Sequence, residues 1–212
     1  HEPSRRQRQM CIRDRMTSLL INNFPETYSL YKEKYYTFNN IRQPNRNRLL
    51  WKDNSSDGVK TGHTESAGYC LISSAKRNDM RLIAVVAGAK SDKERFNDTQ
   101  RLLEYGFRFY STQEVIKKDN ALKDVDVWGG KKNLVSLGAE NNIKLTLPRT
   151  TFKNITISYD FQNNLRAPIK EGQTLGTLVI KDGEKTLHTE NLVALNDVEA
   201  KGFFGRLWAN LV

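Results

Sequence analysis

A lysine, a threonine and a glycine follow one another at Lys60, Thr61 and Gly62, and a histidine comes next at His63. An ammonium group and a hydroxyl can bind a carboxylate together, because one supplies positive charge and the other a hydrogen-bond donor. Neighbouring side chains of a strand point to opposite faces, so a curved edge or a local twist must bring Lys60 and Thr61 to one cleft. Gly62 has no side chain and lets a peptide lie alongside the strand. Alone, this tripeptide is a weak signal that also occurs by chance, but its residue types suit a peptide that ends in a free carboxylate.

The residues around this tripeptide extend the pattern. The tripeptide lies in Asp57-Gly58-Val59-Lys60-Thr61-Gly62-His63-Thr64, with Asn45-Arg46-Asn47-Arg48-Leu49-Leu50-Trp51 before it and Ala67-Gly68-Tyr69 after it. In this context it resembles the third motif of the serine penicillin-binding proteins. From Tyr28 to Val212 the order of elements, down to a Phe-Phe-Gly tail, is similar to that of the low-molecular-mass penicillin-binding proteins, the serine-type D-alanyl-D-alanine carboxypeptidases of the peptidase S11 family.

The resemblance implies an enzyme that removes the terminal D-alanine of peptidoglycan stem pentapeptides through an acyl-enzyme and binds β-lactams in the same way. It implies that Lys60, Thr61 and Gly62 bind the substrate, that Lys60 takes part in catalysis, and that the backbone N–H of His63 forms half of an oxyanion hole. By family position Arg95 faces the terminal carboxylate of the substrate, and Arg46 organises the cleft. The alternative for the His63 side chain is a partly exposed strand histidine without a role. The alternative for Arg95 is a solvated helix arginine. No cofactor or metal is implied.

Two further motifs of this family are missing. The family needs Ser-x-x-Lys at a helix start, where the lysine activates the serine, and Ser-x-Asn on a loop. The sequence contains no Ser-x-Asn, and Ser-x-x-Lys occurs only at Ser29–Lys32 and Ser73–Lys76. Both lie in segments that we predict to be strand-like, and only 27 residues separate Lys32 from Lys60. We therefore interpret the chain as the C-terminal part of such an enzyme, without its nucleophile, and predict that it is inactive alone.

The fold class predicted for residues 16–112 is α+β, with part of a penicillin-binding or β-lactamase-like antiparallel sheet and a packed helix. Residues 16–24 are expected to end a helix, and 28–38 to be extended. Residues 68–75 and 81–89 read as a hairpin around a turn at 76–79. Ser91 and Glu94 form a capping box. The helix that follows is expected to bury Phe96, Leu102, Leu103 and Phe107.

Residues 113–196 are predicted to form a small all-β domain. Apolar residues alternate with polar ones at Ile143, Leu145 and Leu147, and again at Ile155, Ile157 and Tyr159. The run at 181–184 is a hairpin signal. The alternative to an enzyme is a basic β-module that docks on the envelope or on a partner.

Residues 197–212 are predicted to form an amphipathic membrane-anchor helix, truncated relative to the family. Its expected membrane contacts are Phe203, Phe204, Leu207 and Trp208, which share one side at helical spacing. Such an anchor would place the protein in the periplasm, on the anionic outer face of the inner membrane. The alternative is that this apolar side packs on the β-domain.

The composition favours a folded chain with an anionic neighbour. The 212 residues are 38% hydrophobic and 27% charged, and the net charge is +10. Residues 1–15 carry five arginines and are interpreted as a leader foreign to the fold. A nucleic-acid-binding arm is the alternative, but the basic residues are dispersed and no nucleic-acid motif is present, so we predict no nucleic-acid partner. Cys11 and Cys70 are too few for a disulfide framework.

Overall fold

The computed structural model describes residues 5–162 and 164–202. The chain divides between Ser111 and Thr112 into two compact units. The first unit is α+β and the second is all-β, which confirms the predicted fold class for both parts. None of the helices in the described ranges is long and apolar enough to cross a membrane.

The first unit begins with helices. They are α1 (Arg5–Asn23), α2 (Pro25–Ser29) and a 3-10 turn (Leu30–Lys32), followed by a hairpin of β1 (Tyr35–Phe38) and β2 (Ile41–Pro44) and by α3 (Leu49–Lys52). Helix α1 runs without a break from the arginine-rich segment 1–15 into the residues that follow it. The prediction of an extended segment from Tyr28 is wrong for 28–32, because Pro25 opens a short helix, a position where its missing N–H costs nothing.

The central sheet of this unit contains β3 (Ser56–Thr64), β4 (Gly68–Arg77) and β5 (Met80–Ala89), antiparallel and in that order. The predicted hairpin is confirmed, and its turn is at Asn78 and Asp79, where Asn78 has a φ of 53°. Asparagine tolerates this left-handed conformation better than most residues do. The register places Lys60 opposite Ile72, and Thr61 opposite Leu71.

Helix α4 (Asp92–Phe109) packs on this sheet. The capping box is confirmed, because the Ser91 hydroxyl accepts the N–H of Glu94 at 3.1 Å and the Glu94 carboxylate accepts the N–H of Lys90 at 2.5 Å. The buried apolar side chains of α4 are Phe96, Leu103 and Phe107, as predicted, and they pack with Leu71, Ala75, Met80 and Ala84.

The predicted burial of Leu102 is wrong, because this side chain is 50% exposed. Phe96, Leu103 and Phe107 are spaced seven and four residues apart and define the inward face. One residue of an α-helix turns the side chain by about 100°, which carries Leu102 off that face.

The second unit is built from short strands. They are β6 (Tyr110–Ile116), β7 (Lys123–Trp128), β8 (Leu134–Ala139), β9 (Ile143–Pro148), β10 (Ile155–Phe161), β11 (Leu165–Arg166), β12 (Thr174–Asp182) and β13 (Lys185–Ala194), with a 3-10 turn at Thr151–Lys153. Six strands form one sheet in the order β10-β12-β13-β8-β7-β11, and β6 pairs with β9. The predicted hairpin at 181–184 is confirmed, since Asp182 pairs with Lys185 across the turn.

The end of the described chain belongs to this unit. Val198 is 1% exposed and pairs with Ile169, and Ala200 pairs with Gly130. The helix predicted over 197–212 therefore does not begin at Asp197, because bridges to the β-unit hold the first of these residues. The predicted membrane contacts Phe203, Phe204, Leu207 and Trp208 lie outside the described residues.

The second unit is not basic. Residues 112–202 contain 13 Lys or Arg and 12 Asp or Glu, whereas residues 1–111 contain 20 and 12, so most of the net charge of +10 resides in the first unit. The expectation of a basic β-module is wrong on this point.

The packing of α4 gives a matched pair of substitutions. Leu103→Ala should lower the free energy of unfolding of the first unit by roughly 2 to 5 kcal/mol, because Leu103 is 2% exposed. Leu102→Ala should change it by less than about 0.5 kcal/mol. Urea unfolding of both variants followed by circular dichroism measures the difference. Equal losses for the two variants would contradict the orientation of α4.

Candidate active site

Strand β3 carries the predicted site and lies at an edge of its sheet. Within the described ranges it pairs with β4 alone, so its other edge is free of strand partners. An extended peptide can add to an edge strand through main-chain hydrogen bonds. The geometry therefore permits a peptide alongside Lys60, Thr61 and Gly62.

Lys60 and Thr61 lie on opposite faces of β3. Lys60 is exposed and shares its face with Ile72, while Thr61 is 8% exposed and shares its face with the core residue Leu71. The Lys60 ammonium donates to the carbonyl of Thr61 at 2.6 Å. The structure does not bring both side chains onto one face. A ligand that contacts both must therefore straddle the strand edge.

Gly62 and His63 complete the exposed end of the motif. A Cβ atom at Gly62 would meet only the Cβ of Cys70, at 3.9 Å, so nothing within this unit requires glycine there. The His63 ring is exposed and stacks on Tyr69, with ring centroids 4.0 Å apart. The roles of Gly62 and of the His63 N–H in binding a ligand stay predictions.

Arg95 is buried beneath the end of β3. Its side chain is 6% exposed, and its guanidinium donates to the carbonyls of Gly62 at 3.1 Å and Cys70 at 3.4 Å. The same guanidinium pairs with Asp92, which also pairs with Arg48 at 3.2 Å. The alternative of a solvated helix arginine is therefore wrong. In this structure Arg95 ties β3 and β4 to the start of α4.

Arg46 and the two serines of the Ser-x-x-Lys matches, Ser29 and Ser73, differ in their exposure. The Arg46 side chain is exposed. Ser29 is the last residue of α2, so its predicted strand-like context is wrong, but the nucleophile of this chemistry belongs at a helix start. Ser73 is fully buried in β4 and donates to the carbonyl of Gly58 at 2.9 Å. Neither serine is placed as a nucleophile.

A partly buried polar cluster at the start of β3 was not predicted from the sequence. The hydroxyl of Tyr28 donates to the Asp57 carboxylate at 2.7 Å, and Arg81 binds the same carboxylate at 2.8 Å. Burial raises the pKa of Tyr28 far above its usual range, and the hydrogen bond to Asp57 adds to this shift. The cluster fixes the strand three residues before Lys60. Only the presence of Asp57 in the motif could have pointed to it.

No metal site accompanies these groups in the described part of the chain, where no cluster of three or more His, Cys, Asp or Glu side chains is placed to hold an ion. The chemistry of the region is that of an ammonium, two guanidinium groups, a threonine hydroxyl and strand backbone. These groups bind anions and peptides.

Family models match both units. A model described as D-alanyl-D-alanine carboxypeptidase matches residues 7–91, a range that includes β3. The match begins inside the segment 1–15, which the sequence analysis interprets as foreign to the fold. A model described as the C-terminal domain of penicillin-binding protein 5 matches residues 110–200.

Curated relatives and a solved structure agree with these matches. D-alanyl-D-alanine carboxypeptidase DacC of Escherichia coli is 48% identical over 191 residues, covering 89% of this chain and 48% of that protein. DacA of the same organism is 42% identical over 191 residues, with coverage of 89% and 47%. Penicillin-binding protein 5 of Haemophilus influenzae is similar in structure, with a TM-score of 0.73, 38% identity, and coverage of 87% and 54%. The chain spans about half the length of the curated relatives it matches.

The buried position of Arg95 can be tested by substitution. Arg95→Ala should lower the free energy of unfolding by roughly 2 to 4 kcal/mol, because the carbonyls of Gly62 and Cys70 lose a donor and Asp92 loses its buried partner. The matched control is Arg101→Ala on the same helix, whose side chain is 80% exposed. It should change stability by less than about 0.5 kcal/mol. Thermal unfolding of the two variants compares their stabilities. A small effect at Arg95 would show that its buried contacts to β3, β4 and Asp92 are not formed.

Proposed function

Because the chain belongs to the peptidase S11 family of D-alanyl-D-alanine carboxypeptidases, we propose that it is the part of such an enzyme that binds the end of the substrate peptide. The proposed reaction removes the terminal D-alanine of peptidoglycan stem pentapeptides. The observation that carries this proposal is the position of Lys60, Thr61 and Gly62 on an open strand edge, within the residues that the family model matches.

The proposed mechanism assigns each group a task. The stem peptide lies along the free edge of β3, where main-chain hydrogen bonds align it. Lys60 and the Thr61 hydroxyl bind the terminal carboxylate, and the N–H of His63 stabilises the oxyanion that develops on the carbonyl under attack. A serine from the Ser-x-x-Lys motif attacks this carbonyl, D-alanine leaves, and water then hydrolyses the acyl-enzyme. Neither the Ser-x-x-Lys nor the Ser-x-Asn of the family is supplied by this chain, so we propose that it is inactive alone.

Binding of β-lactams follows from the same contacts. A β-lactam presents a strained amide and a carboxylate, so it can occupy the place of the peptide and acylate the same serine. The names of the matching family model and of the Haemophilus influenzae structure, both penicillin-binding proteins, support this part of the proposal.

The other candidate function, a basic β-module for docking, loses its electrostatic support. The second unit is nearly balanced in charge, with 13 Lys or Arg against 12 Asp or Glu in residues 112–202. A surface that attracts anionic partners needs an excess of positive charge. We therefore keep the carboxypeptidase as the proposed function.

We also propose a periplasmic location, on the outer face of the inner membrane. The support is the amphipathic spacing of Phe203, Phe204, Leu207 and Trp208 in the sequence. Aromatic side chains favour the headgroup boundary, and a nearby arginine or lysine adds attraction of about 1 kcal/mol to an anionic surface.

Fluorescent penicillin tests the proposed reaction. A complete enzyme, in which this sequence follows Ser-x-x-Lys and Ser-x-Asn, should take up label that survives denaturation. Lys60→Ala should slow its acylation on the order of 100-fold, because one preorganised contact to the developing charge is lost. Rapid quenching followed by gel fluorescence measures the rate.

Two controls accompany this measurement. Lys76→Ala removes an exposed lysine from the neighbouring strand β4 and should leave the rate unchanged. The present chain without the two motifs should remain unlabelled. Equal rates for Lys60→Ala and Lys76→Ala would refute the role of Lys60, and label on the present chain would show that one of its own serines reacts.

Vesicles test the proposed anchor. The chain should sediment with vesicles of anionic phospholipid at low salt, and deletion of residues 203–212 should abolish this, because the deletion removes the aromatic side of the predicted helix. A chain truncated after Gly202 that sediments as well as the parent would assign the contact to the rest of the protein.

A further inference from the structure

The carbonyl of Gly58 is held by two side chains from outside its own strand. It lies two residues before Lys60, next to an irregularity in the register between Ser56 and Gly58. The side-chain amide of Asn47 donates to it at 2.8 Å, and the hydroxyl of Ser73 donates at 2.9 Å. A carbonyl oxygen has two lone pairs, so both acceptor positions of Gly58 are filled.

The amide of Asn47 has little freedom to move. Asn47 is fully buried, and its side-chain oxygen accepts the N–H of Leu49 at 3.2 Å. The backbone N–H of Asn47 donates to the side-chain oxygen of Asn45 at 2.9 Å. Turning the amide away from Gly58 would leave buried donors and acceptors without partners, which destabilises a fold.

The far end of the motif is anchored in a similar way. The carbonyl of Gly62 accepts from the buried guanidinium of Arg95 at 3.1 Å. The backbone of residues 59–61 therefore lies between two carbonyls that buried side chains hold in place. Because the outer edge of β3 has no strand partner in the described ranges, these anchors replace the restraint that a neighbouring strand would give.

We infer that Asn47 is a positioning residue, which sets the backbone of Lys60, Thr61 and Gly62 through its hydrogen bond to the Gly58 carbonyl. Its effect on catalysis rests on the proposed function. Its effect on the strand does not, and it can be measured in this chain alone.

Asn47→Asp isolates the hydrogen bond from packing, because the two side chains have nearly the same shape. When ionised, the aspartate has no donor and presents an oxygen to the Gly58 carbonyl. When protonated, it donates to that carbonyl and restores the contact. Burial and the facing carbonyl favour the neutral form and raise the pKa of the new carboxyl, so the contact forms as the pH falls and is lost as the pH rises through that pKa.

The experiment follows the amide resonances of residues 60–62 by heteronuclear NMR from about pH 8 to about pH 4, the range over which a carboxyl with a raised pKa titrates. In Asn47→Asp the shift differences from the parent should be large at the upper end and disappear towards the lower end. In Asn47→Ala they should persist at every pH. The matched control is Asn54→Asp, an exposed site in the turn before β3, which should match the parent throughout.

The outcomes are distinct. Parent-like resonances of residues 60–62 in both Asn47 variants at every pH would overturn the inference, and so would a deviation of Asn47→Asp that does not diminish on acidification. If Asn47→Ala does not fold, the return of the resonances of Asn47→Asp to their parent positions at low pH tests the inference by itself.

In a complete enzyme, Asn47→Asp should lower kcat/KM for acylation on the order of 100-fold at neutral pH, because small displacements of a binding strand misalign the reacting groups. Relative to the parent at the same pH, the loss should diminish on acidification for Asn47→Asp and persist for Asn47→Ala. Recovery of the resonances with no recovery of the rate would overturn the catalytic consequence. A parent enzyme without acylation would refute the proposed function and leave the positioning intact.

Discussion

The free edge of β3 is the constraint on which the site depends. Within the described residues β3 has no strand partner on its outer side, as the proposed binding of a peptide there requires, so it lacks half of the ladder hydrogen bonds that normally fix a backbone. The remaining order comes from the other side. Strand β4 pairs along the inner edge, Leu71 is buried in the core next to Thr61, and Arg95 binds the carbonyl of Gly62. The groups that support β3 lie in its own sheet, in the core and on α4, and in the described part of the chain they leave its outer edge without a strand partner.

The supports are polar, and this choice has a physical reason. An apolar core specifies which face of a strand is buried, but hydrophobic contacts are not directional and do not fix the position of an individual carbonyl. Hydrogen bonds to individual carbonyls do specify position, and they are stable in the interior only when every partner is present. The Tyr28, Asp57 and Arg81 cluster meets this condition through two short contacts to one carboxylate. Arg95 meets this condition only in part, because Asp92 pairs with its guanidinium while its buried Nε has no hydrogen-bond partner within the described residues.

The sequence predicted what is encoded locally. The hairpin turn at Asn78, the capping box at Ser91 and the alternation in the β-unit each depend on residues a few positions apart. Some errors come from longer distances or finer angles, whereas the missed helix at Pro25–Ser29 begins at a proline that the sequence already shows. Leu102 differs from a buried neighbour by one residue of helix rotation, and the contact from Arg95 to Gly62 spans 33 residues of sequence. Such contacts leave no periodic signal, so only the fold shows them.

The distribution of charge connects the site to its proposed ligand. The net charge of +10 suggested an anionic neighbour without saying where it binds. Residues 32–52 hold six Lys or Arg and a single acidic residue, Glu33, whereas residues 112–202 are almost balanced. The positive field is therefore strongest in the unit that carries β3. The proposed ligand, a peptide with a free carboxylate, would be attracted to that unit before any specific contact forms, and salt would weaken the attraction by screening it. Long-range attraction and short-range binding thus favour the same class of ligand.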